Sequence, residues 1–95
     1  MRVLLRAAAE QDIRRLVAFV DEKSPAAARR LGAHLRQAFS LLSEQPLVGR
    51  PTKDGRARLW FARLGRARYV VLYRVLDDVV LITRLWHGKE NRPTE

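Results

Sequence analysis

Apolar residues recur along this chain with two different periods, and the change of period divides it. Ile13, Leu16, Val17 and Val20 fall at i, i+3, i+4 and i+7, with Arg14, Arg15, Asp21 and Glu22 on the opposite side. That is one apolar helical stripe, and it predicts a helix from about Ala8 to Glu22. Ser24-Pro25 breaks the pattern: serine is a good N-cap and proline suits the first helical position. A second helix is predicted from Pro25 to about Ser43, with Ala28, Leu31, Leu35, Phe39 and Leu42 inward. So short a joint makes the two helices an antiparallel hairpin. Arg2 to Arg6 reads as a short strand ahead of them. Glu44 to Gly55 reads as loop, through Pro46-Leu47-Val48-Gly49-Arg50-Pro51. Strands are then predicted at Arg58–Arg63, Tyr69–Val75 and Val79–Trp86, with turns near Gly65 and at Asp77-Asp78, and a polar tail from His87 to Glu95.

The last two strands are apolar on both sides. Tyr69, Val71, Tyr73 and Val75 alternate with Val70 and Leu72; Val79, Leu81 and Leu85 alternate with Val80, Ile82 and Trp86. A sheet with one wet face would alternate more cleanly. Two helices cover one face of a small sheet, so the pattern predicts that a partner covers part of the other.

The expected fold is therefore α+β, a helix hairpin on a mainly antiparallel sheet, in a single domain spanning residues 1–95. Nineteen Lys and Arg oppose ten Asp and Glu, a net charge of +9, and sixteen of the cations are Arg. The excess points to acidic protein, nucleic acid or ribosome as partner. It is concentrated between Arg50 and Arg74, where eight cations face Asp54 alone, with Trp60, Phe61 and Tyr69 interleaved. Such a stretch suits phosphate contact with base stacking, or an acidic protein segment whose carboxylates pair with arginine. There is no cysteine, hence no disulfide, thiolate metal site or cysteine nucleophile. Arg6, Glu10 and Asp12 interrupt the N-terminal apolar run, which fails as a signal peptide, and a cytoplasmic protein is expected. No metal-ligand spacing, phosphate loop or Ser-His-Asp arrangement stands out, so no metal or cofactor is expected.

Several segments carry a resemblance: Glu10-x-Asp12-Ile13, Ser24-Pro25-x-Ala27-Ala28, Pro46-Leu47-Val48-Gly49-Arg50, Tyr69-Val70-Val71-Leu72-Tyr73-Arg74-Val75 and Arg84-Leu85-Trp86-His87-Gly88. In this order and at these spacings the chain resembles the ParE/RelE superfamily, the plasmid-stabilisation toxins of type II toxin–antitoxin systems, over nearly its whole length. The resemblance implies the β-α-α-β-β-β fold, a growth-inhibiting activity, and neutralisation by an acidic, ParD-like antitoxin.

One fold carries two activities in that superfamily. RelE-like members cut messenger RNA on the ribosome with Arg and Lys clusters; ParE-like members poison DNA gyrase and need no catalytic residue. The nuclease branch keeps a cation directly after the first Tyr of the Tyr-x-x-x-Tyr strand, and another two residues after the Gly that closes the last strand. Here those positions are Val70 and Glu90. The resemblance thus implies the gyrase-binding branch, with Arg84, Trp86, His87 and Lys89 as target contacts. Arg58, Trp60, Arg63, Arg68 and Arg74 are the antitoxin contacts expected. The enzymatic alternative, a ribosome-dependent interferase, would use Arg50, Lys53, Arg68, Arg84 and His87. A third reading is a plain nucleic-acid-binding module, although no recognition helix stands out. Arg50, following Gly49 in the loop, is expected to pin that loop to the sheet or to a helix C-terminus, and His34 to lie on the surface.

Overall fold

A computed structural model describes residues 1–90 and 92. The elements are β1 (Arg2–Leu5), α1 (Ala7–Lys23), α2 (Pro25–Glu44), β2 (Arg50–Pro51), β3 (Arg58–Leu64), β4 (Ala67–Leu76) and β5 (Val79–His87). They form one five-stranded sheet in the order β1-β5-β4-β3-β2, with β1 parallel to β5 and every other pairing antiparallel. This is the α+β arrangement the pattern predicts, with a two-residue strand added inside the long loop.

Ser24 caps α2: its Oγ accepts the Ala27 N–H at 3.1 Å, and Pro25 opens the helix. The helix hairpin lies on one face of the sheet. Leu31, Leu35, Ala38 and Leu42 of α2 and Leu16 of α1 are buried against Tyr69, Val71 and Tyr73 of β4 and Val80, Ile82 and Leu85 of β5, and Ala28 is buried as well. Ile13, Val17, Val20 and Phe39 are half-buried beside them. The β3–β4 turn uses Gly65 at φ 66°, and the β4–β5 turn places Asp77 at φ 49°, a conformation short polar residues tolerate.

One expectation about the sheet is overturned and a second is narrowed. First, β5 does not alternate regularly. Leu72 pairs with Arg84 and Tyr73 with Ile82, so Thr83 is an extra residue, a β-bulge whose Oγ1 donates to the Leu72 carbonyl at 3.0 Å. The bulge flips the parity of everything after it. Leu85 joins Val80 and Ile82 in the main core, while Trp86 turns to the opposite face. Second, the centre of that outer face is closed by the chain itself. Leu59, Val70 and Trp86 form a small second cluster there, exposed by only 5%, 1% and 6%. The large apolar side chains left open on the sheet are Leu4, Phe61 and Leu76. Part of the expected tail also belongs to the sheet: His87 closes β5, opposite Tyr69.

A hub on the edge of the last strand and the groove beside it

The parallel strand β1 stops at Leu5, paired with Ile82, yet β5 continues to His87. Beyond the bulge the outward edge of β5 therefore has no neighbouring strand, and unpaired backbone groups there are costly if buried. Charged side chains replace the strand. Asp12 Oδ2, brought up by α1, accepts the Leu85 N–H at 2.9 Å. Arg15 Nη2 lies 3.5 Å from the Leu85 carbonyl, and Glu90 Oε1 accepts the His87 N–H at 2.8 Å.

Asp12 is the hub of this edge and the buried charged residue among those described. Besides the Leu85 amide, it accepts Arg84 Nε at 2.7 Å, Arg84 Nη2 at 3.1 Å and Arg15 Nη2 at 3.2 Å. Burial pushes its carboxyl pKa up, but the hydrogen bonds from Arg84, Leu85 and Arg15 outweigh that, and the net shift is below the usual aspartate range. Arg84 is held in turn between Asp12 and the ring of Trp86, with its guanidinium carbon 5.1 Å from the ring centroid. Arg15 also pairs with Glu90, which ties the turn after β5 back to α1.

Beside this edge, between the helices and the β3–β4 turn, lies a groove of about 1190 Å³. Its floor is apolar: Leu16, Val20, Leu31, Leu64 and Tyr69. Phe19 stands at its lip, 56% exposed. Arg15, Arg30, Arg66 and Lys89 ring it, and Glu90 is the carboxylate among the lining residues. His87 faces this groove, edge-on to the Tyr69 ring with centroids 5.2 Å apart, and its Nδ1 accepts the Lys89 N–H at 3.0 Å. His34 also lines the groove, half-buried rather than on the open surface as expected.

The long loop is also pinned by a group that the sequence did not single out. Tyr73, fully buried, donates its hydroxyl to the Pro46 carbonyl at 2.7 Å and accepts the Gly49 N–H at 2.8 Å. Arg58 Nη1 adds a bond to the Gly49 carbonyl at 2.6 Å. A Cβ on Gly49 would sit 2.8 Å from the Tyr73 hydroxyl and 2.9 Å from the Leu59 carbonyl, so the close approach requires glycine. Arg50 lies over the Phe61 ring on the sheet, 5.4 Å from its centroid, and Arg92 does the same.

The residue groups read from the sequence are divided by the sheet. Of Arg84, Trp86, His87 and Lys89, the first two lie on the outer face and the edge, the last two along the groove. Of Arg58, Trp60, Arg63, Arg68 and Arg74, Arg63 and Arg68 face each other across β3 and β4, and register puts Arg74 on the same face. Arg74 donates to the Arg56 carbonyl at 3.2 Å. Arg58 and Trp60 pair with Tyr73 and Val71 on the helix side, where Trp60 packs against the main core. Of Arg50, Lys53, Arg68, Arg84 and His87, Arg50, Arg68 and Arg84 share the outer face, where Arg84 is bound to Asp12, while His87 faces the groove and Lys53 lies in the turn between β2 and β3. Among the described residues no group of His, Asp and Glu is placed to hold a metal ion.

Sequence reasoning gave Asp12 and Arg15 no role, and it read Glu90 only as a missing cation. Asp12 carried a signal: it sits four residues before Leu16, on the stripe that faces the core, where an ionised side chain needs a partner.

Comparison with known proteins fits this architecture. Residues 3–92 match the family described as the ParE toxin of the type II toxin–antitoxin system parDE. The chain is also 38% identical over 90 residues to Toxin RelE1 of Caulobacter vibrioides, an alignment covering 95% of this chain and 96% of that relative. A strand, a helix hairpin and a three-strand meander, matched along almost their whole length, make this chain a member of the ParE family, the toxin of a type II toxin–antitoxin system, with an antitoxin as its partner.

Proposed function

We propose that this toxin arrests growth by binding a host protein, DNA gyrase, in the cytoplasm, and that it does not cut messenger RNA. The observation that carries the reading is the state of the two positions where the nuclease branch keeps cations. Val70 is buried in the outer-face cluster at 1% exposure, where no phosphate can reach a side chain. Glu90 is an anion engaged with Arg15 and the His87 amide. Catalysis of phosphodiester cleavage without a conventional acid–base pair depends on preorganised cations around one phosphate. Of the candidate residues, Arg84 is already bound to Asp12, and His87 faces the groove on the other side of the sheet from Arg50, Arg68 and Arg84, which supports binding over chemistry.

The outer face is the surface we assign to the target. Arg84 on Trp86, Arg50 and Arg92 on Phe61, and the Arg63–Arg68 pair give it half-buried and exposed arginines on an aromatic and aliphatic base. Arginine and aromatic anchors of this kind are common at protein interfaces. The groove on the helix side, cationic at the rim and apolar at the floor, suits an amphipathic acidic segment of a ParD-like antitoxin. Expression of the toxin without its antitoxin tests the reading: a DNA-damage response before any fall in protein synthesis supports it. An immediate loss of translation with no DNA-damage response overturns it in favour of the ribosomal interferase.

A further inference from the structure

The groove already holds one carboxylate, and it is the chain's own. Glu90 reaches the rim from the turn after β5, with Oε1 on the His87 amide and Oε2 on Arg15. The same turn is held by two backbone bonds, Gly88 N–H to the Arg68 carbonyl at 2.7 Å and Glu90 N–H to the His87 carbonyl at 2.9 Å. Around it the rim is otherwise cationic, with Arg30, Arg66 and Lys89, and the floor from Leu16 to Leu64 is apolar. A partner that fits this groove brings apolar side chains for the floor and carboxylates for the rim. Its carboxylate and Glu90 then want the same guanidinium.

We propose that Glu90 is an intramolecular competitor for Arg15, a latch that an acidic amphipathic segment of the antitoxin displaces, so that filling the groove and releasing the turn after β5 are a single event. The proposal rests on the antitoxin using this groove. Arg15 is suited to the exchange because its position does not depend on Glu90: it also bonds Asp12, within α1, and stays in place when Glu90 leaves. The pair is open to water, with side-chain exposures of 44% and 33%, so its net stabilisation is small and an incoming carboxylate can replace it. What the exchange moves is the turn Gly88–Glu90, two residues before Arg92, which lies over Phe61 on the outer face. Occupancy of the helix-side groove would thereby alter the surface on the other side of the sheet, a coupling of the two sites through one displaced segment.

The test uses the purified full chain, its Glu90→Gln and Arg15→Gln variants and the double variant. The probe is a synthetic helical peptide of Glu, Ala and Leu with leucine at i, i+3, i+4 and i+7. Glutamine keeps an acceptor for the His87 amide and removes only the charge, and melting curves check that each variant folds. The expected result is that Glu90→Gln binds the peptide about two- to fivefold more tightly, the size of one exposed ion pair. The gain should shrink with added salt and vanish in the Arg15→Gln background. Peptide binding to the parent should also speed amide exchange at Gly88 and Glu90. Unchanged or weaker binding by Glu90→Gln, a gain that survives without Arg15, or amide exchange indifferent to the peptide each overturns the latch. Failure of the peptide to bind any form overturns the groove as an acidic docking site, and the expression experiment on the target is independent of all four results.

Discussion

Asp12 and Arg84 stand 72 residues apart in sequence and meet through two hydrogen bonds, from Nε at 2.7 Å and Nη2 at 3.1 Å. Their contact joins the first helix to the last strand where the parallel strand has run out. The same carboxylate that holds the arginine also terminates the strand's bare edge at the Leu85 amide. Fold closure and the placement of a surface cation are thus the work of one side chain.

Replacing Asp12 with alanine should therefore cost about 3 kcal/mol, since it orphans a buried amide and removes the partner of a half-buried guanidinium. Urea unfolding at neutral pH reads this directly. An Arg84→Ala variant should cost less, because Arg84 is 39% exposed and Arg15 remains on the carboxylate. Equal losses from the two substitutions would contradict the hub role of Asp12.

The contribution of Asp12 should also depend on pH with a definite sign. Its folded pKa lies below the unfolded value of about 3.9, so the native state favours the ionised form. That stabilisation is fully present above the unfolded pKa and is lost as pH falls through the folded one. Melting temperatures of the parent and Asp12→Ala should differ most at pH 5 to 7 and converge toward pH 2. A difference that stays constant to pH 2 would show that the loss comes from packing and not from charge.

Tyr73→Phe removes one oxygen and leaves the buried Gly49 N–H and the part-buried Pro46 carbonyl without their partner. The expected cost is about 2–3 kcal/mol, with faster amide exchange across residues 46–50. Gly49→Ala should destabilise through the same contact from the other side, by pressing a methyl group against the Tyr73 hydroxyl. A Tyr73→Phe variant with unchanged stability would mean the hydroxyl is dispensable to the loop.

Leu35 sits at 4% exposure in the middle of the α2 face, and Leu35→Ala should cost about 2–5 kcal/mol. Thermal unfolding checks it; an unshifted melting temperature would contradict the packing of the helix hairpin on the sheet.

Much of the fold was legible in the sequence because both helices carry one-sided apolar stripes and the Ser24-Pro25 joint states where one ends and the next begins. The strands were legible as strands, but their faces were not. A bulge at Thr83 has no signal in a strictly alternating count, and it alone moved Leu85 into the core and Trp86 out of it. Arg84, Trp86, His87 and Lys89 read as one surface because His87 reads as the start of a tail; as the last residue of β5 it faces away from Trp86, and the sheet divides the group. The hub was less legible still, because Asp12 and Arg84 are brought together only by β1 lying parallel to β5 and stopping short, a property of topology and not of either segment. The closure of the outer face was missed for a simpler reason: the side chains over it, Arg84, Arg50 and Arg92, read as charge rather than as cover for Trp86 and Phe61.

The choice between binding and cleavage is decided most directly by adding the purified toxin to a reconstituted translation reaction and mapping the ends of the messenger RNA on stalled ribosomes. With Val70 and Glu90 in place of two cations, each of which typically contributes about 10²–10³ in rate as a preorganised donor, the message should remain uncut at any codon. His87→Ala should then change nothing in that reaction, because no proton transfer is asked of it. Cleavage at defined codons in the A site, abolished by His87→Ala, would contradict the gyrase-binding reading and establish the chain as a ribosome-dependent ribonuclease.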